Sequence, residues 1–213
     1  MTQCMGEADS GLARIGTAAK RDPQLRFNNL YHHLTPERLK EAYYSLNRSS
    51  ASGIDGVTWE AYGEDLDINL QGLHNRLHKG SYRPQASRRI WIEKADGKQR
   101  PIGISALEDK LVQQALVWII QSIYEVDFLG FSYGFRPSRS QHDALDAVYV
   151  TITKKKVNWV LDADIKGFFD TISHDWLMKF LGHRIVDRKL LQLVERSLTG
   201  YFRGYFRDTH PYF

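Results

Sequence analysis

Apolar residues recur at three- and four-residue spacing in two early segments, which is the pattern of amphipathic helices. Thr35 and Pro36 predict the start of the first helix, because Thr caps helices and Pro is favoured at the first helical position. A second helix is predicted from Trp59 to Leu77, stopping at Gly80. The apolar positions that carry the two patterns are Leu39, Ala42, Tyr43, Leu46, Trp59, Tyr62, Leu66, Leu70, Leu73 and Leu77.

Residues 88–104 predict a β-hairpin, because two strand-like runs flank Asp96-Gly97, a strong signal for a tight turn. A long apolar helix follows up to Tyr124, with Ser105 and Glu108 spaced as a capping box. The hairpin and the helices together predict an α+β protein.

Residues 157–165 are mostly apolar and predict a buried strand. Ser173 and Asp187 are then placed to cap two further helices, which run to Leu181 and Leu198. Residues 1–26 show little periodicity and are expected to form a loose N-terminal arm.

The charge of the chain is concentrated in the predicted hairpin and its flanks. The net charge is +4, but residues 79–100 hold seven Lys and Arg against two acids, a local +5. Tyr82 and Trp91 are interleaved with these cations, and a basic stripe with aromatic residues suits a polyanion such as RNA. A solvated charged hairpin is the alternative.

Other functional classes find no support in the composition. The chain has a single cysteine, Cys4, which excludes a disulfide framework. No apolar run has the length of a membrane span, and the first thirty residues lack the apolar centre of a signal peptide. A cytoplasmic protein with no membrane partner is therefore expected.

The stretch VLDADIKGFFD, residues 160–170, places three acids around the end of the predicted strand. Asp162 and Asp164 would share one strand face, since side chains alternate between faces. Acids beside apolar residues need a partner or a cation, and Mg²⁺ is the usual cation for oxygen ligands. Two alternatives remain: solvated strand and turn residues, or the Asp-x-Asp metal motif of nucleotide-sugar glycosyltransferases.

Five ordered motifs surround this stretch: SGIDGVT, ADGKQRPIGI, DKLVQ, YGFRPSRSQHDAL and IKGFFDTISH. Together they resemble the reverse transcriptases encoded by bacterial group II introns, from about Phe27 to Leu198. The resemblance implies a right-hand polymerase fold, with helical fingers and their β-hairpin in residues 27–150. Residues 151–198 would form a partial palm with the start of a small sheet. A glycosyltransferase has no use for these motifs.

The resemblance implies RNA-templated DNA synthesis, with RNA, a DNA primer and a deoxynucleoside triphosphate as partners. Asp164 matches the first catalytic aspartate, which binds two Mg²⁺ ions together with the backbone carbonyl of Ile165. Phe169 matches the aromatic steric gate beneath the deoxyribose, although a core aromatic beside Phe168 is the alternative.

The resemblance also assigns cations to nucleotide and RNA. Lys94 and Arg100 match residues that bind the incoming triphosphate. The expected RNA contacts are Arg88, Arg89, Lys98, Arg136 and Arg139, and a purely structural role is equally open for the Arg136 segment.

One family feature is absent from the 213 residues, which contain no Asp-Asp pair and hence no Tyr-x-Asp-Asp hairpin. Residues 199–213 form a tail that does not resemble the family. We therefore expect a truncated or frameshifted product that is inactive as a polymerase on its own. The alternative function is a non-catalytic RNA-binding remnant or maturase-like module. Uncovered apolar faces of the incomplete palm predict self-association.

Overall fold

The structure is a computed structural model that describes residues 3–93, 97 and 99–206, without the side chains of 3–10, 169–170 and 200–206. Helices dominate it, and a one-turn 3₁₀ helix, Tyr31–His33, precedes α2. The α-helices are α1 Gln3–Arg21, α2 Pro36–Ser45, α3 Trp59–Glu64, α4 Leu66–His78, α5 Leu107–Tyr124, α6 Gln141–Lys154, α7 Phe168–Thr171, α8 His174–Arg184 and α9 Arg188–Phe206.

The core lies where α1, α2, α4 and α5 pack together, and α9 packs against α5 and both strands of the hairpin. The predicted apolar stripes supply it, since both helical patterns place their large side chains on one face. Thr35 caps α2 as predicted, accepting a hydrogen bond from the N–H of Arg38. The fully buried members include Leu39, Tyr43, Leu70, Leu73, Leu77, Leu111, Ile119, Ile123 and Leu190.

The N-terminal arm is a packed helix, so the expectation of a loose segment is wrong for residues 3–21. Leu12 and Ala19 are buried against the core, and Ile15 is partly buried between them. These positions are spaced three and four residues apart, a short stripe that α2 and α5 cover. The stripe is too brief to stand out in the sequence.

The helix predicted from Trp59 to Leu77 is divided at Asp65. Asp65 has φ −119° and ψ 41°, which lies outside helical geometry. The side-chain amide of Asn69 donates to the carbonyl of Tyr62 at 3.0 Å and so satisfies one carbonyl at the break. The predicted apolar residues on both sides of the break are still buried or partly buried, because the chain continues as a helix from Leu66.

The capping box predicted at Ser105 and Glu108 does not form. Ala106 occupies the N-cap position of α5 without a side-chain cap. Glu108 instead accepts hydrogen bonds from Arg76 at 2.6 Å and from the hydroxyl of Tyr62 at 3.3 Å. This ion pair holds α4 against α5, and a tertiary contact has replaced the local one.

The predicted hairpin is confirmed as strands β1, Arg88–Glu93, and β2, Gln99–Ile104, paired antiparallel. Gly97 has φ +75°, the left-handed conformation that favours glycine in such turns. The pair forms the whole of the sheet in the described part of the chain.

Residues 157–165 form neither a helix nor a strand, so the predicted buried strand is wrong here, and the start of a palm sheet stays a prediction. A strand requires hydrogen-bonding partners, and no strand of the described residues lies beside this segment. Trp159 and Leu161 are each 92% exposed.

A parallel bridge between Phe27 and Ile185 joins the start of the ordered region to the segment between α8 and α9. Asp187 completes this junction. Its carboxylate accepts the N–H groups of Leu30 and Tyr31 at 2.6 and 2.8 Å, and those of Lys189 and Leu190 at 3.0 and 3.2 Å.

The two predicted caps of the later helices are confirmed. Ser173 accepts a hydrogen bond from the N–H of Trp176 and begins α8, and Asp187 begins α9. Both helices extend beyond the predicted ends, to Arg184 and Phe206.

Candidate nucleic-acid interface

The register of the hairpin assigns each basic residue to a face. Residues directly opposite one another in antiparallel strands point to the same side. Arg88 lies opposite Ile104 and Arg100 lies opposite Ile92, so both arginines share one face with Ile90 and Ile102. The other face carries Arg89, Trp91, Glu93, Gln99 and Pro101.

Arg88 and Arg100 are both exposed. Their positions are four residues apart along the strand direction, about 13 Å, so the two guanidinium groups can reach different phosphates. On the opposite face Trp91 is 57% exposed, and its ring is available for stacking. The hairpin therefore presents Arg88 and Arg100 on one side, and Trp91 together with Arg89 on the other.

Tyr82, the second aromatic residue of the basic stripe, is unavailable for stacking. It is 3% exposed, and its hydroxyl donates to Oδ1 of Asp109 in a short hydrogen bond. Burial raises the pKa of Asp109, and it also raises the pKa of Tyr82, with the carboxylate adding to that rise. The other oxygen of Asp109 accepts the N–H of Gln85 at 2.9 Å. This buried network fixes the chain that leads into β1.

Lys94 and Lys98 lie outside the described residues, and the side chain of Phe169 is likewise not described. Of the predicted triphosphate-binding pair, only Arg100 can thus be placed. The roles assigned to Lys94, Lys98, Phe169 and Arg100 stay predictions.

The contacts of Arg136 favour the structural alternative. Its guanidinium donates twice to Oε1 of Glu125, at 3.0 and 2.7 Å, and also to the carbonyls of Leu129 and Ser132. The side chain lies inside the loop that follows α5, so few donors remain for RNA.

Arg139 is half-buried in the same loop. It donates to the carbonyl of Gly130, and its guanidinium lies 5.2 Å from the centre of the Tyr133 ring. These contacts order the loop between α5 and α6, and its predicted contact with RNA is untested.

Asp162 and Asp164 lie in the exposed 157–165 segment, and both residues are open to solvent. Ile165 is 66% exposed. The metal prediction assumed that the two aspartates are buried and need a cation to offset the cost of burial. Because both are exposed, they need no such cation in this structure.

The described residues do not supply a magnesium site around Asp164. No group of three or more His, Cys, Asp or Glu side chains converges on a possible ion position anywhere in the described ranges. Mg²⁺ prefers an octahedral set of oxygen ligands, and a single solvated carboxylate with one carbonyl does not fit a pair of such ions.

Gly53, in the SGIDG motif, has a role that sequence reasoning missed. A Cβ at this position would stand 2.5 Å from Cα of Ala106, so only glycine allows the turn to contact the start of α5. Lys110 strengthens the contact by donating to the carbonyl of Ala51 at 2.8 Å. The SGIDG turn thereby packs against the residues that join β2 to α5. The glycine in this turn motif was the sequence signal that could have predicted the close contact.

None of the helices in the described part of the chain combines the length and apolar character that a membrane crossing requires.

Residues 92–210 match the family described as reverse transcriptase (RNA-dependent DNA polymerase), which is more than half of the 213 residues. The chain belongs to the reverse transcriptase family. Its relatives include proteins encoded in introns, which confirms the resemblance to the group II intron enzymes.

Three relatives illustrate this. The group II intron-encoded protein LtrA of Lactococcus lactis subsp. cremoris is 35% identical over 200 residues, 91% of this chain and 33% of that protein. Protein YkfC of Escherichia coli (strain K12) is 38% identical over 192 residues, 87% of this chain and 50% of that protein. An uncharacterized 91 kDa protein in the cob intron of Schizosaccharomyces pombe is 43% identical over 210 residues, 95% of this chain and 25% of that protein. The chain thus spans half or less of each relative.

Proposed function

We propose that this chain supplies the fingers and the first part of the palm of a group II intron reverse transcriptase, and that its direct activity is RNA binding. Residues 27–150 would be the fingers and residues 151–198 the beginning of the palm. The observation that carries the proposal is the hairpin, which offers exposed cations on one face and an exposed tryptophan on the other.

Within this function the cations bind phosphates and Trp91 stacks on a base. Arg88 and Arg100 are proposed to contact the RNA backbone or the incoming triphosphate, because a guanidinium offers a fork of donors to phosphate oxygens. The buried pair of Tyr82 and Asp109 holds the hairpin in a fixed orientation. Lys94, Lys98 and Arg89 are proposed to extend the same basic surface.

The test compares two tryptophans of equal exposure, Trp91 at 57% and Trp176 at 58%. Trp91→Ala should weaken binding of a labelled single-stranded RNA by about tenfold, the lower part of the range for one stacked base. Trp176→Ala, on α8, should leave the affinity unchanged. Fluorescence anisotropy measures both.

The charge on the hairpin is tested separately. Arg88→Gln with Arg100→Gln should reduce the slope of log K against log salt by about 1.4, the value for two phosphates of a single strand. A wild-type affinity that does not change with salt would contradict the RNA-binding function.

A second candidate is catalytic: the polymerase activity of the family, with Asp164 and the carbonyl of Ile165 as metal ligands and Phe169 as the steric gate. Further oxygen donors would have to join Asp164, because the described residues supply too few. We therefore expect no primer extension on an RNA template by the 213-residue polypeptide alone. Incorporation that Asp164→Ala abolishes would overturn this expectation.

A further inference from the structure

A pocket of about 720 Å³ lies between the 3₁₀ helix, the C-terminal end of α4 and the first turn of α9. Its polar lining comprises Asn28, Asn29, His32, His78, Arg188 and Lys189. We propose that this pocket binds the phosphodiester backbone of single-stranded RNA, as a second contact separate from the hairpin. The proposal depends on the RNA-binding function argued above.

The cations of the pocket are available to a ligand. Arg188 and Lys189 are exposed, and neither side chain forms a hydrogen bond or an ion pair with another residue that the structure describes. Arginine offers a planar fork of donors and lysine a compact charge, the two forms in which proteins usually present positive charge to phosphate. Arg196 lies seven residues after Lys189, on the same side of α9.

Asp187 also lines the pocket, but backbone groups occupy its carboxylate. Its two oxygens accept four N–H groups, two from Leu30 and Tyr31 and two from the first turn of α9. The N–H groups of Lys189 and Leu190 are therefore already satisfied, and a bound anion would depend mainly on the side chains around them. Arg188 and Lys189 carry two positive charges against the single negative charge of Asp187, which leaves the pocket positive.

The volume of the pocket and the aromatic side chains that line it suit a nucleotide better than a small ion. Its volume falls within the range of small-molecule sites, roughly 300 to 1,000 Å³. The ring of His78 is exposed on the side away from His74, whose ring centroid lies 4.2 Å from it, and it stands edge-on to Tyr31 at 5.5 Å. Histidine is one of the side chains on which RNA bases stack. The amides of Asn28 and Asn29 add donors for phosphate or ribose oxygens.

The experiment removes the two pocket cations and compares the result with a matched pair. Arg188→Gln with Lys189→Gln should weaken binding of a single-stranded RNA about tenfold at 0.15 M salt and lower the salt slope by about 1.4. The control is Lys20→Gln with Arg21→Gln, an adjacent exposed pair in the last turn of α1 with the same charge change. It should bind as the wild type does.

A second measurement uses the wild-type chain and does not depend on the folding of a variant. Bound RNA should protect Lys189 from acylation by an amine-reactive ester, read by mass spectrometry, while Lys20 stays reactive. An unprotected Lys189 would overturn the proposal.

The remaining outcomes separate this proposal from the proposed function. Equal losses in both double variants, or no loss in the pocket variant while the hairpin variant loses affinity, would reject the pocket and keep the RNA-binding function. Absence of RNA binding by the wild type would reject both. A loss seen with DNA of the same sequence but not with RNA would reject the assignment to RNA.

Discussion

His33 is a residue whose surroundings give the stability of the protein a dependence on pH. Burial against Gly11 of α1, with smaller contributions from the nearby charges of His32, Arg38 and Arg14, lowers the pKa of His33 to about 4. In the unfolded chain its pKa is ordinary, about 6.5. Between these two values the unfolded chain binds a proton that the folded chain does not.

The free energy of unfolding should therefore fall as the pH falls from 6.5 towards 4, and this contribution is fully present above 6.5. We expect a loss of about 1 kcal/mol between pH 7 and pH 5, a value discounted for solvent screening because the ring is only partly buried. Urea unfolding at the two pH values measures it. His33→Gln should flatten this dependence, and an unchanged slope in the variant would contradict the assignment.

Single residues also show where sequence reasoning reaches its limit. Arg136 and Tyr82 carry the side chains expected of RNA contacts, yet both face inward, towards Glu125 and Asp109. Residue type gives the available chemistry, whereas orientation depends on partners 11 and 27 positions away. The hairpin that carries Trp91 was predicted correctly, because strand-like runs and an Asp-Gly turn are local signals.

At the level of elements, Asp187 joins α9 to the segment before α2. Asp187→Ala would remove an N-cap and leave the N–H groups of Leu30 and Tyr31 without their acceptor. We expect a loss of about 3 kcal/mol in the free energy of unfolding, more than an ordinary cap contributes. Ser173→Ala, which removes the exposed cap of α8, should cost only about 1 kcal/mol. If urea unfolding showed equal losses for Asp187→Ala and Ser173→Ala, Asp187 would contribute no more than an ordinary helix cap.

Most of the confirmed elements depend on local signals, although the local capping box at Ser105 did not form and α6, with its own capping box at Ser140, was missed. The caps at Thr35, Ser173 and Asp187 and the hairpin depend on neighbours within a few residues. Residues 157–165 have a strand-like pattern, but a strand also needs a neighbouring strand to pair with. The helix α1 was missed for the opposite reason, since packing on α5 stabilises a weak pattern.

Exposed large apolar side chains are frequent along the chain from α6 through the 157–165 segment to α8. Trp159 and Leu161 are almost fully exposed, and Val148, Tyr149 and Phe180 are also solvent-facing. Such surfaces promote association in water, so we expect the chain to self-associate. Light scattering should show species larger than a monomer, and Trp159→Gln with Leu161→Gln should reduce them.

Ile68→Gln is the matched control, since Ile68 is 73% exposed but belongs to α4, outside this part of the chain. It should leave the distribution of species unchanged. A monodisperse monomer, independent of salt, would contradict self-association.

The parallel bridge between Phe27 and Ile185 has a consequence for synthesis on the ribosome. The two residues are 158 positions apart, and Asp187, which orders Leu30 and Tyr31, emerges still later. At ordinary elongation rates the early segment would wait roughly ten to thirty seconds for its partner. Throughout that interval Phe27 and Leu30 lack the residues that bury them in the folded protein. Chaperones that bind nascent chains would therefore bind this segment before it folds.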